Sequence, residues 1–130
     1  MKRKIKWLDR RVARPGPFLA LCLTEAEYLQ VMKELKVNYF PEWVSERADA
    51  TTHHLINKDG AISSVICLEG YKDRNPIEVA GMLVHEAVHV WQWYTETIGE
   101  RTPASEQEAY AIQAIAQELM AEFARRMKDE

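Results

Sequence analysis

The sequence predicts an α+β fold, and three observations lead to this class. The chain has 130 residues, which is enough to bury one hydrophobic core without cross-links. It is 47% hydrophobic and 28% charged, a composition typical of ordinary globular proteins. Strand-like segments dominate the first half and two long helical patterns fill the second half, with no internal repeat. The expected order is therefore strand, helix, hairpin, helix, helix, as in an α+β protein.

Three segments have the apolar character of strands: residues 18–23, 51–56 and 61–68. The last two flank the dipeptide Asp59-Gly60 and are expected to form a β-hairpin, since Asp-Gly favours the tight turns that join such strands. Thr24 followed by Glu27 is a capping box, which opens a helix expected to run to about Val37.

Two longer helices are predicted in the second half. Asn75 caps the first of them, and Pro76 takes its first position, where a missing N–H costs nothing. This helix is expected to run to about Thr97 and, because it is apolar nearly all round, to be buried on all sides. The second helix is expected from Pro103 to about Met127.

The chain is expected to consist of a basic arm over residues 1–17 and a single domain over residues 18–130. Residues 1–14 carry seven basic side chains and one acidic, whereas the remaining residues carry ten basic and nineteen acidic. We interpret the arm as a solvated tail, because charged terminal segments are usually disordered. No nucleic-acid-binding motif accompanies it, so nucleic acid is not the expected partner.

The compartment is predicted from what the sequence lacks. The run of apolar residues over 18–23 is six long, far short of the about 20 that cross a bilayer. Two cysteines, Cys22 and Cys67, cannot form a disulfide framework and are expected to be reduced thiols. We therefore expect a cytoplasmic protein without a membrane partner.

A short motif inside the first long helix suggests chemistry: His85-Glu86-Ala87-Val88-His89. Histidines four residues apart lie on one helical face and can bind one metal ion. Glu86 lies about 100° further round the helix, where it reaches water beside the metal rather than the metal itself. Three polar side chains in an apolar helix are costly unless they are paired or bind a metal. The alternative is that neighbouring side chains satisfy all three.

Together with a downstream segment, the motif resembles the gluzincin clan of zinc metallopeptidases. In that clan HExxH is followed by a glutamate ligand on a second helix, and here Glu108 follows His89 by 19 residues. Ala109 comes directly after it, as a small residue does in thermolysin-like members. The resemblance covers about residues 50–125, and the chain looks most like the minimal single-domain gluzincins. It implies a zincin-like domain in which a small sheet packs on a buried HExxH helix and a C-terminal helix carries the glutamate.

The resemblance also implies a function, a zinc-dependent hydrolase that cleaves peptide bonds. His85, His89 and Glu108 would bind Zn²⁺, and Glu86 would be the general base for the attacking water. A strand of the hairpin would lie at the edge of the cleft and pair with an extended peptide or protein substrate.

Two further residues are candidates to stabilise the oxyanion, Tyr110 and His54. The plainer interpretations are that Tyr110 and Tyr94 belong to the aromatic core and that His53 and His54 lie at the surface. Adjacent strand residues point to opposite faces, so at most one of the two histidines can face the site.

The third ligand has alternatives. Glu106 is the rival glutamate, and Cys67 is a conceivable sulfur ligand, as in peptide deformylases. Ser105 and the glutamate three residues later could instead form a capping box. The Asn and Asp that flank the glutamate in thermolysin-type enzymes are replaced by Gln107 and Ile112, so support for the histidines by neighbouring side chains is not assigned.

Two other classes of function compete with an active peptidase. One is a zincin-fold structural or interaction protein with little or no catalytic activity, for example a phage or prophage assembly component. The other is a self-blocked peptidase, in which the basic arm or residues 125–130 occupy the cleft.

Overall fold

The structure, a computed structural model, describes residues 17–37, 40–56 and 60–129. Residues 1–16 of the predicted arm and residues 57–59 of the predicted turn lie outside the described residues. Within the described part, three strands and three α-helices follow in the predicted order: β1 (Phe18–Cys22), α1 (Glu25–Glu34), β2 (Ala50–Ile56), β3 (Ile62–Leu68), α2 (Pro76–Thr97) and α3 (Ser105–Lys128). The α+β class is confirmed.

The strands form one sheet in the order β1-β3-β2. β3 lies at the centre, parallel to β1 and antiparallel to β2. The predicted pairing of the second and third strands is therefore confirmed, and α1 lies on the crossover that lets β1 join them. β2 is an edge strand of the described sheet, and this position matters for the site.

The sheet separates two hydrophobic clusters, because successive side chains of β3 point to opposite faces. Ile66 and Leu68 pack with α2 and α3 on one face. Val65 and Cys67 pack with α1 and the segment before β2 on the other. Cys22 and Cys67 are register partners, fully buried and free of a disulfide, as expected for reduced thiols.

α1 begins where predicted and ends early. The Thr24 hydroxyl accepts a hydrogen bond from the backbone N–H of Glu27 at 3.2 Å, which is the predicted cap. The helix ends at Glu34 rather than near Val37. Lys36 takes a left-handed conformation with φ of 59°, which turns the backbone out of the helix.

α2 has the predicted boundaries, with Asn75 as its N-cap. Its expected burial on all sides is wrong. Leu83 and Val90 are buried against the sheet and α3, whereas Ile77 is 83% exposed and Val84 is 38% exposed. The reason is that the described elements cover α2 on only part of its circumference, so the remaining face meets water.

The end of α3 contacts α1 and β1. Arg126 forms an ion pair with Glu27 at the start of α1 and donates to the Leu21 carbonyl at 3.4 Å. The cleft beside the HExxH motif is not lined by residues 125–129, the described part of the segment proposed to block it. None of the helices described is long and apolar enough to cross a membrane.

Candidate metal centre

The two histidines of the motif converge on one point. His85 and His89 lie one turn apart on α2, with ring centroids 4.8 Å apart and ring planes at 77°. Their Nε2 atoms are 3.1 Å apart. Two Zn–N bonds of about 2.0–2.1 Å at a tetrahedral angle place the nitrogens about 3.3 Å apart. The pair therefore fits two corners of a zinc site, although the same spacing also suits a hydrogen bond between the rings.

The three polar side chains of the motif differ in exposure. His85 and His89 are exposed, whereas Glu86 is buried, with 6% of its surface accessible. The expectation that all three are costly is wrong for the histidines, because water solvates them. It holds for Glu86, whose carboxylate Oε2 accepts a hydrogen bond from the Thr52 hydroxyl at 2.5 Å.

β2 supplies the wall that Glu86 faces. Alternate side chains of this strand point towards α2, and they are those of Thr52 and His54. The His54 ring stacks on Trp93 of α2, with centroids 4.7 Å apart and planes at 14°. His53 points to the opposite face, where its Nε2 lies 3.0 Å from the Trp43 carbonyl. Only one of the two histidines faces the motif, as predicted.

The surface position expected for these histidines is wrong. His53 is buried, and His54 is half-buried, with its Nδ1 3.0 Å from the Ser64 hydroxyl. The pKa of His54 is lowered to about 4, mainly by burial and in smaller part by the nearby positive charges of His89 and His53. His54 is thus a neutral imidazole close to the motif.

A cleft of about 500 Å³ opens beside the motif. It is lined by residues of β2, α2 and the turns before them: Asp49, Ala50, Arg74, Glu78, Gly81, Met82, His85 and Glu86. Arg74 bridges Asp49 and Glu78 at its rim. A smaller apolar cavity of about 250 Å³, on the α3 side of α2, contains no residue of the motif and has no evident part in this site.

One side chain that the sequence analysis missed contacts a histidine directly. The Nδ1 atom of His89 lies 3.2 Å from Oε1 of Gln92. A partner on the second ring nitrogen fixes the tautomer and the orientation of a metal-binding imidazole. The sequence spacing could have predicted this contact, since residues three apart on a helix are neighbours.

Glu108 is not brought to the histidines. Its carboxylate accepts a hydrogen bond from the Trp91 indole at 2.9 Å. Trp91 is buried and faces about 200° away from His89 around the helix. In the part of the chain that the structure describes, no three His, Cys, Asp or Glu side chains form a group able to hold a metal. The pair fits zinc, and the third ligand stays a prediction.

The alternatives to Glu108 do not complete the site either. Glu106 is exposed on the first turn of α3. Ser105 is not a cap, since the N-cap of α3 is Ala104, so the capping-box explanation is wrong. Cys67 is fully buried beside Cys22, its register partner on β1.

The two tyrosines considered above, Tyr94 and Tyr110, differ in their burial. Tyr94 is buried and stacks on Trp91, as expected for a core aromatic. Tyr110 is 66% exposed on α3, so the core role is wrong for it. It lines neither the cleft beside the motif nor the cavity next to Glu108, and nothing here supports its role at an oxyanion.

Comparisons of the chain with protein-family profiles, with curated proteins and with solved structures found no match. The resemblance to gluzincins therefore depends on the motif residues and their spacing alone.

Proposed function

We propose that this chain is a zinc-dependent hydrolase with a zincin-like fold, acting on peptide bonds. The observation that carries the proposal is the convergence of the His85 and His89 Nε2 atoms within 3.1 Å, beside the buried carboxylate of Glu86. Zinc, when bound, supplies Lewis acidity that activates water and polarises a carbonyl. Glu86 would accept the proton of the water and deliver it to the leaving amine.

The surroundings of the motif support this proposal. The edge strand β2 lies along α2 with its outer edge unpaired in the described sheet, so an extended peptide has backbone groups to pair with. The cleft lined by His85 and Glu86 leaves room for the residues around the scissile bond. Peptide or protein is therefore the proposed substrate class.

For the third ligand we retain Glu108, with Glu106 as its rival. Glu108 and Gln92 line one cavity of about 520 Å³, and Gln92 contacts His89. Oε2 of Glu108 accepts a hydrogen bond from the Trp91 indole, on a face of α2 about 200° from His89, so the carboxylate must move towards His89 to act as a ligand.

The second candidate is a zincin-fold structural or interaction protein, such as a phage or prophage assembly component. The observation that favours it is the missing third ligand among the described residues. Such a protein would have no catalytic need for Glu86.

One experiment separates the two candidates. We expect the metal-free protein to take up about one zinc per chain, measured by competition with a chromogenic chelator, and to cleave fluorescein-labelled casein. Glu86→Gln keeps the size of the side chain but removes the basic carboxylate, so zinc uptake should persist while hydrolysis falls about 10²–10⁴-fold. Absence of zinc uptake, or casein cleavage unaffected by Glu86→Gln, would contradict the peptidase proposal.

A further inference from the structure

We propose that Thr52 is a positioning residue, which holds the carboxylate of Glu86 in the orientation that proton transfer at this site requires. The inference rests on the proposed function, since it assigns Glu86 its role as base. The observation behind it does not involve the proposed metal ligands, because it is a contact between Glu86 and the strand β2 that faces the motif.

The hydrogen bond between the two residues joins elements far apart in the sequence. The Thr52 hydroxyl donates to Oε2 of Glu86 at 2.5 Å, across 34 residues of chain. Hydrogen bonds to a charged group are stronger than those between neutral groups. Glu86 is buried and also lines the cleft, so with Oε2 held by Thr52 the carboxylate cannot swing freely.

Thr52 is itself held firmly. It pairs in register with Ile66 of the central strand β3, and Ile66 is fully buried in the core on the α2 side. A β-branched side chain has few χ1 rotamers, so the hydroxyl direction follows from the strand. The core of the sheet therefore determines where the Glu86 carboxylate points.

The need for such a contact follows from the helix. A glutamate has three rotatable bonds, and α2 fixes only its Cα. General-base catalysis requires the acceptor oxygen within hydrogen-bond reach of the proton it removes. A hydrogen bond from a rigid strand on the other side holds the carboxylate in this orientation beforehand, so no conformational entropy is lost in orienting it when the reaction occurs.

The chain offers a matched control one residue away. Thr51 lies on the opposite face of the same strand, and its hydroxyl accepts a hydrogen bond from the Ser45 backbone N–H at 3.0 Å. Thr51→Val therefore removes a threonine hydroxyl from β2 without touching Glu86. Thr52→Ser keeps the hydroxyl and should restore what Thr52→Val loses.

The first test uses the zinc-loaded protein and fluorescein-labelled casein. We expect Thr52→Val to lower kcat about tenfold or more, with KM and zinc content unchanged, since the contact orients a base and binds no substrate. Thr52→Ser should recover most of this loss, and Thr51→Val should match the wild type. Wild-type kcat in Thr52→Val, or a loss explained by lower zinc content, overturns the inference.

A second test needs no activity. In urea unfolding, Thr52→Val and Glu86→Ala should be non-additive by about 5- to 30-fold in the unfolding equilibrium constant, whereas Thr51→Val and Glu86→Ala should be additive. If Thr52→Val and Glu86→Ala are additive, the two side chains do not interact and the inference is overturned. Should Thr52→Val not fold, Thr52→Ala removes the same hydroxyl, and the same loss of kcat and the same non-additivity with Glu86→Ala are expected of it.

The two failures are distinguishable. A wild type that binds no zinc and leaves casein intact overturns the proposed function, and with it the catalytic role of Thr52. A wild type that is active and loses activity on Glu86→Gln, but not on Thr52→Val, overturns only the present inference.

Discussion

At the scale of single residues, the site combines groups that see very different amounts of water. His85 and His89 are exposed, Glu86 is buried, and His54 lies between these extremes. Imidazoles on the surface can bind a metal with little rearrangement of the fold. A buried carboxylate needs a donor, which Thr52 provides. The exposed histidines are therefore suited to bind a metal, and the buried carboxylate is suited to act as a base.

His54 should reveal its burial through its titration. Its pKa is lowered from 6.5 to about 4, first by burial and then by the positive charges of His89 and His53. Since the folded state holds the neutral form, stability is fully present above pH 6.5 and is lost as the pH falls through about 4. The His54 C2 proton of the metal-free protein should titrate near pH 4 by NMR, and His54→Gln should reduce the acid sensitivity of unfolding. Titration of His54 near 6.5 would show that water reaches the ring.

Glu108 and Glu106 provide the residue-level test of the third ligand. We expect Glu108→Gln to weaken zinc binding by more than the about 10- to 100-fold typical of losing a supporting contact, because two histidines alone make a poor site. Glu106→Gln should leave zinc affinity nearly unchanged. Affinities come from chelator competition at constant pH. If instead Glu106→Gln weakens zinc binding and Glu108→Gln does not, Glu106 is the ligand. If neither variant changes zinc affinity, the proposal of a glutamate ligand is contradicted.

At the scale of elements, an ion pair anchors the end of α3 to α1. Arg126 pairs with Glu27 of α1, and the two side chains are 23% and 37% exposed. Burial alone would raise the pKa of Glu27, but the hydrogen bond from Arg126 and the backbone donors of Leu23 and Thr24 lower it overall. A lowered pKa means that this stabilisation is present above the ordinary pKa of 4.5 and is lost as the pH falls below it.

Two arginine variants test this anchor. Arg126→Gln should lower the free energy of unfolding by about 1 kcal/mol or less at pH 7, because the pair is partly exposed. The difference from the wild type should shrink as the pH falls towards 3, when Glu27 takes up a proton. Arg125→Gln is the control, since Arg125 pairs with Glu122 within its own helix. Urea unfolding at several pH values measures both, and equal losses for the two variants would contradict a specific role of Arg126.

At the scale of the whole molecule, zinc binding should stabilise the fold. A ligand that binds only the folded state at 100 times its Kd adds about 2.7 kcal/mol, which corresponds to a rise in Tm of about 10 °C for a chain of this size. We expect this rise in calorimetry at pH 7. His85→Ala should show no rise. A zinc-induced shift that persists in His85→Ala would place the metal elsewhere.

The sequence by itself determined the α+β class, the order of the elements and most boundaries. Local chemistry sufficed for these, as with the Thr24 cap, the Asn75 cap and the alternation of His53 and His54. The early end of α1 was missed, because no glycine marks the left-handed turn at Lys36. The HExxH spacing likewise predicted that His85 and His89 would meet, since both lie on one helix.

Only the tertiary structure decided which residues from other elements reach the motif. Thr52 lies 34 residues from Glu86, and no local pattern predicts that β2 faces α2 with this register. The same packing leaves one face of α2 open to water and places Glu108 beside Trp91. Helical periodicity states which side chains share a face, but neighbours across the core depend on how the sheet and both long helices pack together. The histidine pair was therefore predictable from one helix, whereas the contact that orients Glu86 and the position of Glu108 were not.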